Sequence, residues 1–152
     1  MAPVEIYEDG GGLVTEYQRK AIQYAFENRR VEIRGLCRSA CVLALSVPNV
    51  CVAPYAIVKA HYAYEEKSLK LRPDVTGEML NSLPKNIKVV LEKNMQRTYT
   101  PGSTLTYDEL RQLGVPACSQ NKVVAKKQEA PKENALDQIL KYFRGRRPVA
   151  NR

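Results

Sequence analysis

Apolar and polar side chains alternate over residues 4–7 (Val-Glu-Ile-Tyr), the period of two that a half-buried strand requires, and the run stops at Asp9-Gly10-Gly11-Gly12. Over 14–28 the period lengthens: Val14, Tyr17, Ala21, Tyr24 and Ala25 fall on one face of a helix. Alternation returns at 31–35 and ends at Gly35. The segment 39–46 is apolar all round between its two serines, which predicts a buried helix. Short strands follow at 50–53 and 56–62, separated by the turn residues Pro54-Tyr55. A charged stretch over 65–73 reads as a surface loop.

Residues 82–97 predict a helix with Ser82 as N-cap, Pro84 in its first turn and Leu83, Ile87, Val90, Leu91 and Met95 buried. Tyr99 to Ser103 reads as a loop. Thr106-Tyr107-Asp108-Glu109 has the form of a capping box, opening a short helix over 107–113 that Gly114 closes. This order of strands and helices predicts an α/β domain over residues 1–118, a mainly parallel sheet flanked by helices.

Composition changes the picture mainly at the C-terminus. The 152 residues suffice for one domain with a real core, 44% of them are hydrophobic, and the net charge is +8. From Ser119 onward there are nine Lys or Arg against three Asp or Glu, so six of those eight charges lie outside the predicted domain. Residues 119–134 read as a flexible linker. Residues 135–152 read as a basic amphipathic helix and tail carrying Leu136, Ile139, Leu140 and Phe143. Such a helix docks back on the domain, joins subunits in a homo-oligomer, or contacts an acidic partner or anionic membrane surface. The chain carries no stacking platform or nucleic-acid motif, so nucleic acid is not an expected partner. The longest apolar run, over 42–58, is broken by Pro48, Asn49 and Pro54 and falls short of a membrane span.

The four cysteines, Cys37, Cys41, Cys51 and Cys118, all lie in the predicted domain. Their spacing matches no zinc template, and the single histidine is distant from them, so neither metal nor cofactor is expected. Two states remain open: four buried thiols in a reducing compartment, or two disulfides in an oxidising one. If oxidised, Cys41 and Cys51 are the expected pair, because Cys41 sits one turn into a helix and the strand at Val50 follows a short turn. Cys37 would then pair with Cys118. The N-terminus fits both states. Met1-Ala2-Pro3 leads at once into a strand, as in a cytoplasmic protein or in a mature periplasmic or secreted form with a start Met added.

Three features in order suggest acyl transfer: a triple glycine after a strand, Cys37-Arg38-Ser39-Ala40-Cys41 between a strand and a helix, and His61 at a strand's end. A serine nucleophile needs a base within reach and backbone N–H donors where negative charge develops. A serine opening a helix also gains from the helix dipole, and glycines let backbone approach a substrate closely.

With those residues in view, the chain resembles the Clp-type serine peptidases of the crotonase-like superfamily. It is closer still to bacterial envelope-associated Clp-like proteins, whose pattern is Asp-Gly-Gly-Gly, Cys-x-Ser-Ala-Cys, a downstream Cys and a strand ending in His. The Gly114-Val115-Pro116-Ala117-Cys118 stretch fits the same pattern. The resemblance covers roughly residues 4–118. It implies Ser39 as nucleophile, His61 as general base, and the amides of Gly12 (or Gly11) and Ala40 as the oxyanion hole. The family's orienting Asp has no counterpart in Tyr99-Thr100-Pro101-Gly102-Ser103. Asp108, Glu65 or a backbone carbonyl are the substitutes to look for. Two functions follow as expectations: a hydrolase acting on extended peptides, or a non-catalytic domain of the same shape that binds a peptide or acts as a scaffold.

Overall fold

The computed structural model describes residues 1–95 and 102–119. The chain alternates strand and helix through β1 (Val4–Asp9), α1 (Val14–Phe26) and β2 (Val31–Arg38). An eight-residue 3-10 helix, Ser39–Ser46, follows, then β3 (Val50–Val52) and β4 (Ile57–Ala60). The remainder is α2 (Pro73–Asn81), α3 (Lys85–Asn94), β5 (Ser103–Thr106) and α4 (Tyr107–Gln112). These make an α/β fold around one mixed sheet of five strands. The long central strand β2 carries parallel β1 on one edge. On the other it carries β3 and then β4, each also parallel. β5 adds antiparallel to β4, so the expected parallel sheet is correct for four strands and gains an antiparallel edge.

The core follows from the sequence pattern. Val31 and Ile33, which share one face of β2, are fully buried, and Glu32 on the opposite face is buried too. Leu43 from the 3-10 helix, Val52, Val58, Ile87, Leu91, Leu105 and Leu110 complete a single cluster. Burial of each such side chain contributes about 1.5–3 kcal/mol.

The register places the carboxyl ends of three strands together. Asp9 is level with Cys37, and Arg38 is level with Lys59. The glycine turn leaving β1, the serine leaving β2 and the histidine leaving β4 therefore emerge at one end of the sheet, where sites in parallel α/β sheets are built.

Three expectations are revised. A helix over 73–81 stands in a stretch to which the sequence pattern assigns no element beyond Pro73, the end of the expected loop: Pro73 opens it, Asp74 lies in its first turn, and Val75, Thr76, Met79 and Leu80 are its buried face. Gly77 within that stretch hid the period. Ser82 is accordingly no N-cap; it closes α2, its hydroxyl donating to the Glu78 carbonyl (2.8 Å), and Pro84 caps α3. Ser103 belongs to β5, so the loop expected at 99–103 ends earlier. The capping box is present, Thr106 Oγ1 accepting from the Glu109 amide, and Gly114 takes φ +90° after α4. Residues 96–101 lie outside the described residues, as do the expected linker and basic helix from 120 onward.

The cysteine pairing is also corrected. All four form disulfides, but as Cys37–Cys41 and Cys51–Cys118. The reason is topological. The chain after α4 docks in parallel beside β3, the Val52 amide donating to Pro116 and the Cys118 amide to Val52 (both 2.9 Å). That brings the Cα atoms of Cys51 and Cys118 to 4.9 Å, while Cys41, one turn beyond Cys37, lies 5.3 Å from it.

Beside the second bridge, Glu32 is buried on β2. Burial pushes its carboxyl up, but hydrogen bonds from Arg30 (2.7 Å) and Arg34 (2.9 Å), with their charges, outweigh it and hold the pKa below the ordinary 4.5. A carboxylate with a lowered pKa in the folded state stabilises above its unfolded value, and loses that contribution as pH falls through the folded one. Glu32→Gln should therefore lower stability by about 2 kcal/mol near pH 7. The gap from wild type in thermal melts should narrow as pH falls below the ordinary carboxylate range and close once the folded carboxyl is protonated. A gap that stays constant from pH 7 to pH 3 would show that the charge contributes nothing.

Candidate active site

Ser39 is the hinge between β2 and the 3-10 helix. Arg38 is extended (φ −119°, ψ 152°), and Ser39 then adopts φ +59°. A left-handed conformation at a non-glycine residue costs roughly 1–2 kcal/mol, and such residues concentrate where a side chain must be presented rather than packed. A sharp strand-to-helix turn of this kind exposes a serine hydroxyl.

The glycine turn is built against that hinge. Gly11 has φ +86°, and a β-carbon there would lie 2.5 Å from Ser39 Cβ, 2.7 Å from the Arg38 carbonyl oxygen and 3.0 Å from the Ala40 nitrogen. Only glycine permits this approach. Asp9 holds the turn: its Oδ1 accepts from the Gly11 amide (2.9 Å) and the Tyr17 hydroxyl (2.6 Å). Burial, and then the hydrogen bond and charge of Asp9, push the Tyr17 phenol above its ordinary pKa, so it stays a donor. Because the Gly11 amide is engaged by Asp9, Gly11 drops out as an oxyanion donor. Among the described residues no turn or loop acceptor meets the Gly12 amide, while Ala40 lies within the 3-10 helix. Gly12 borders the cavity, whereas Ala40 is fully buried behind it.

His61 follows the last residue of β4. Its Nδ1 lies 2.8 Å from the carbonyl oxygen of Tyr62. A carbonyl only accepts, so Nδ1 carries the proton, and in the neutral ring Nε2 is left with the lone pair, the state a general base needs. Backbone packing fixes the strand end: a β-carbon on Gly102 would overlap the Ala60 carbonyl oxygen and sit 3.3 Å from His61 Cβ. Helix α2 anchors the next turn. The Ala63 amide donates to Thr76 Oγ1 (2.9 Å), and the Arg72 amide donates to the Ala63 carbonyl (2.7 Å).

Ser39 and His61 line one cavity of about 370 Å³, with the three glycines along one wall. Val14, Ala63 and Met79 are its apolar lining, and Arg38, Tyr64 and Glu66 add polar and charged groups. The sequence named Val14 only as part of the α1 face and Arg38 only as a motif neighbour of Ser39, and it singled out none of the other four. For Met79, the spacing Val75–Met79 behind Pro73 was the usable signal.

Neither carboxylate expected to orient the histidine does so. Asp108 is exposed in the first turn of α4, away from the cavity lining. Glu65 accepts from the Ser68 hydroxyl (2.8 Å) and faces Arg72 at 3.7 Å. Each sits in a surface segment with its own geometry, a helix start in one case and a tight turn in the other. Glu32, Cys51 and Cys118 place three ligand-type atoms within 4.8 Å of one another. The two sulfurs are bonded to each other and the carboxylate is matched by two arginines, so this cluster is a brace rather than a metal centre.

The Cys37–Cys41 bridge closes a ring of five residues with Ser39 at its centre. Opening it by Cys37→Ala/Cys41→Ala should cost about 2 kcal/mol by loop entropy. It should also let Ser39 leave φ +59°, reducing its reactivity toward an active-site serine probe by tenfold or more. Unchanged reactivity in a less stable variant would limit the bridge to a stabilising role.

The chain matches no protein-family model, no curated protein and no solved structure.

Proposed function

We propose that this protein is a serine hydrolase of the Clp-like type, cleaving acyl bonds of extended peptide segments with Ser39 as nucleophile and His61 as base. The observation that carries this reading is the left-handed Ser39 opening into a cavity it shares with His61 and a glycine turn. In the reaction, Nε2 of His61 takes the Ser39 Oγ proton as Oγ bonds to the carbonyl carbon. The amides of Gly12 and Ala40 are the candidates to hold the oxyanion. His61 then returns the proton to the leaving amine, and water releases the acyl group by the same steps. The resemblance to Clp-type peptidases in residues 4–118 supports the same assignment. The two disulfides suit an oxidising compartment such as a periplasm.

A second reading, a peptide-binding domain without turnover, draws on one feature. His61 Nδ1 is held by a neutral carbonyl, which orients the ring but does not stabilise an imidazolium as a carboxylate would.

Labelling the full, oxidised chain with a fluorophosphonate and mapping the adduct tests the choice. A single adduct on Ser39, lost in Ser39→Ala and slowed in His61→Ala, is the expected result. An unlabelled folded protein, or labelling indifferent to His61, overturns the hydrolase reading in favour of the binding domain.

A further inference from the structure

Two cations flank the proposed reacting pair. Arg38 immediately precedes Ser39, and Lys59 stands two residues before His61. They are register partners on adjacent parallel strands, so their side chains leave the same face of the sheet, and both are exposed. Arg38 lines the cavity itself.

Neither has an ion-pair or hydrogen-bond partner among the described residues. The contrast lies within one strand. Arg30 sits just before β2 and Arg34 lies within it, and Glu32 matches both, with Glu5 of β1 also near Arg34 (3.8 Å). Among the described residues, the arginine at the cavity end of the strand is the one without a counter-charge, and it stands next to a second cation. Like charges on paired strand positions repel and cost stability, so the arrangement lacks a structural motive. Glu66, the acidic residue of the lining, is engaged elsewhere and pairs with neither cation.

We infer that Arg38 and Lys59 form an anion subsite, and that the substrate carries a carboxylate close to the acyl group presented to Ser39. A guanidinium fork fits a planar carboxylate through two parallel hydrogen bonds, and the neighbouring ammonium adds charge without demanding geometry. The carboxylate is either an acidic side chain of a peptide or a peptide's free C-terminus. Recognition of this kind orients the chain in the cavity and selects acidic over neutral peptides. The subsite rests on the Ser39–His61 cavity being where substrate binds, though not on turnover.

The sole histidine supplies a reporter, since its imidazole NMR signal is unique in the full oxidised chain. Two pairs of inert peptides separate the sources: Ac-Ala-Glu-Ala-amide against its Gln isostere, and Ac-Ala-Ala-Ala with a free carboxylate against the amide. In at least one pair the acid should shift the His61 signal at a concentration about tenfold below its neutral partner. The preference should weaken in high salt, fall to near unity in Arg38→Ala/Lys59→Ala, and persist in part in Arg38→Lys. An equal or absent response to acid and neutral peptide in both pairs overturns the subsite, as does a preference that survives the double variant with its backbone spectrum intact. A protein that prefers the acid yet takes no fluorophosphonate would retain the subsite and lose the hydrolase.

Discussion

Replacing Ser39 by alanine should reduce hydrolysis of an activated peptide ester by a factor on the order of 10³ or more, leaving only the contribution of binding and backbone donors. His61→Ala should lose nearly as much, because in the proposed mechanism each residue acts only through the other. The double variant should then be no worse than the poorer single one. Additive losses would mean that the two do not work as a unit, whatever their shared cavity. The expected ceiling for the wild type is modest. Where a carboxylate orients the base, its replacement costs about 10⁴ in rate, and here the Tyr62 carbonyl occupies that position. Slow turnover with clear dependence on both residues is thus the predicted signature. The fold should be unaffected, since a lost hydroxyl at a half-buried turn removes no core contact.

Removal of the second disulfide should have the largest effect on stability. Cys51 and Cys118 are 67 residues apart in sequence, so their bridge restricts much of the unfolded chain. Loop entropy assigns it about 4 kcal/mol, a large part of the stability of a domain this size. Cys51→Ala/Cys118→Ala should lower the thermal midpoint by roughly 15 °C or more. The bridge also fastens the segment after α4 against β3, through Val52 and the Val52–Ala117 pairing. The Val52 and Cys118 amides, which bond across the two segments, should therefore exchange faster in the variant even at temperatures where the rest stays folded. A midpoint shift of only a few degrees would show that the backbone pairing alone secures this end.

Much of the fold was legible because its signals are local. Alternation at 4–7 and 31–35, the apolar stripe of α1 and the Thr106–Glu109 capping box each depend on residues within one or two turns of one another. The α/β class and the order of elements as far as β4 followed from these, while α2 and β5 were missed. The segment over 65–81 was less legible: a charged hairpin-like turn precedes a helix only nine residues long with Gly77 inside it, and the helical period has too few repeats to stand out.

The site divides in the same way. The residue types and order of Asp9–Gly12, Ser39 and His61 suggested acyl transfer because a nucleophile, a base and a glycine turn are recognisable as chemistry. What sequence could not contain was their relation across strands. The register of β1, β2 and β4 brings the glycine turn beside the serine and sets Arg38 level with Lys59, both without counter-charges among the described residues. Two further roles were set locally: the Gly11 amide donates to Asp9, two residues before it, and His61 Nδ1 to the carbonyl of its neighbour Tyr62, in place of the roles expected for Gly11, Asp108 and Glu65. The Cys51–Cys118 disulfide, by contrast, was decided by how distant segments dock. Which cysteines meet depends on where the chain after α4 docks, and no local propensity encodes a contact between residues 67 positions apart. Sequence by itself determined the elements and the chemical groups at hand. Tertiary pairing decided which groups face one another, because hydrogen-bond register and packing act between segments that a linear pattern treats as independent.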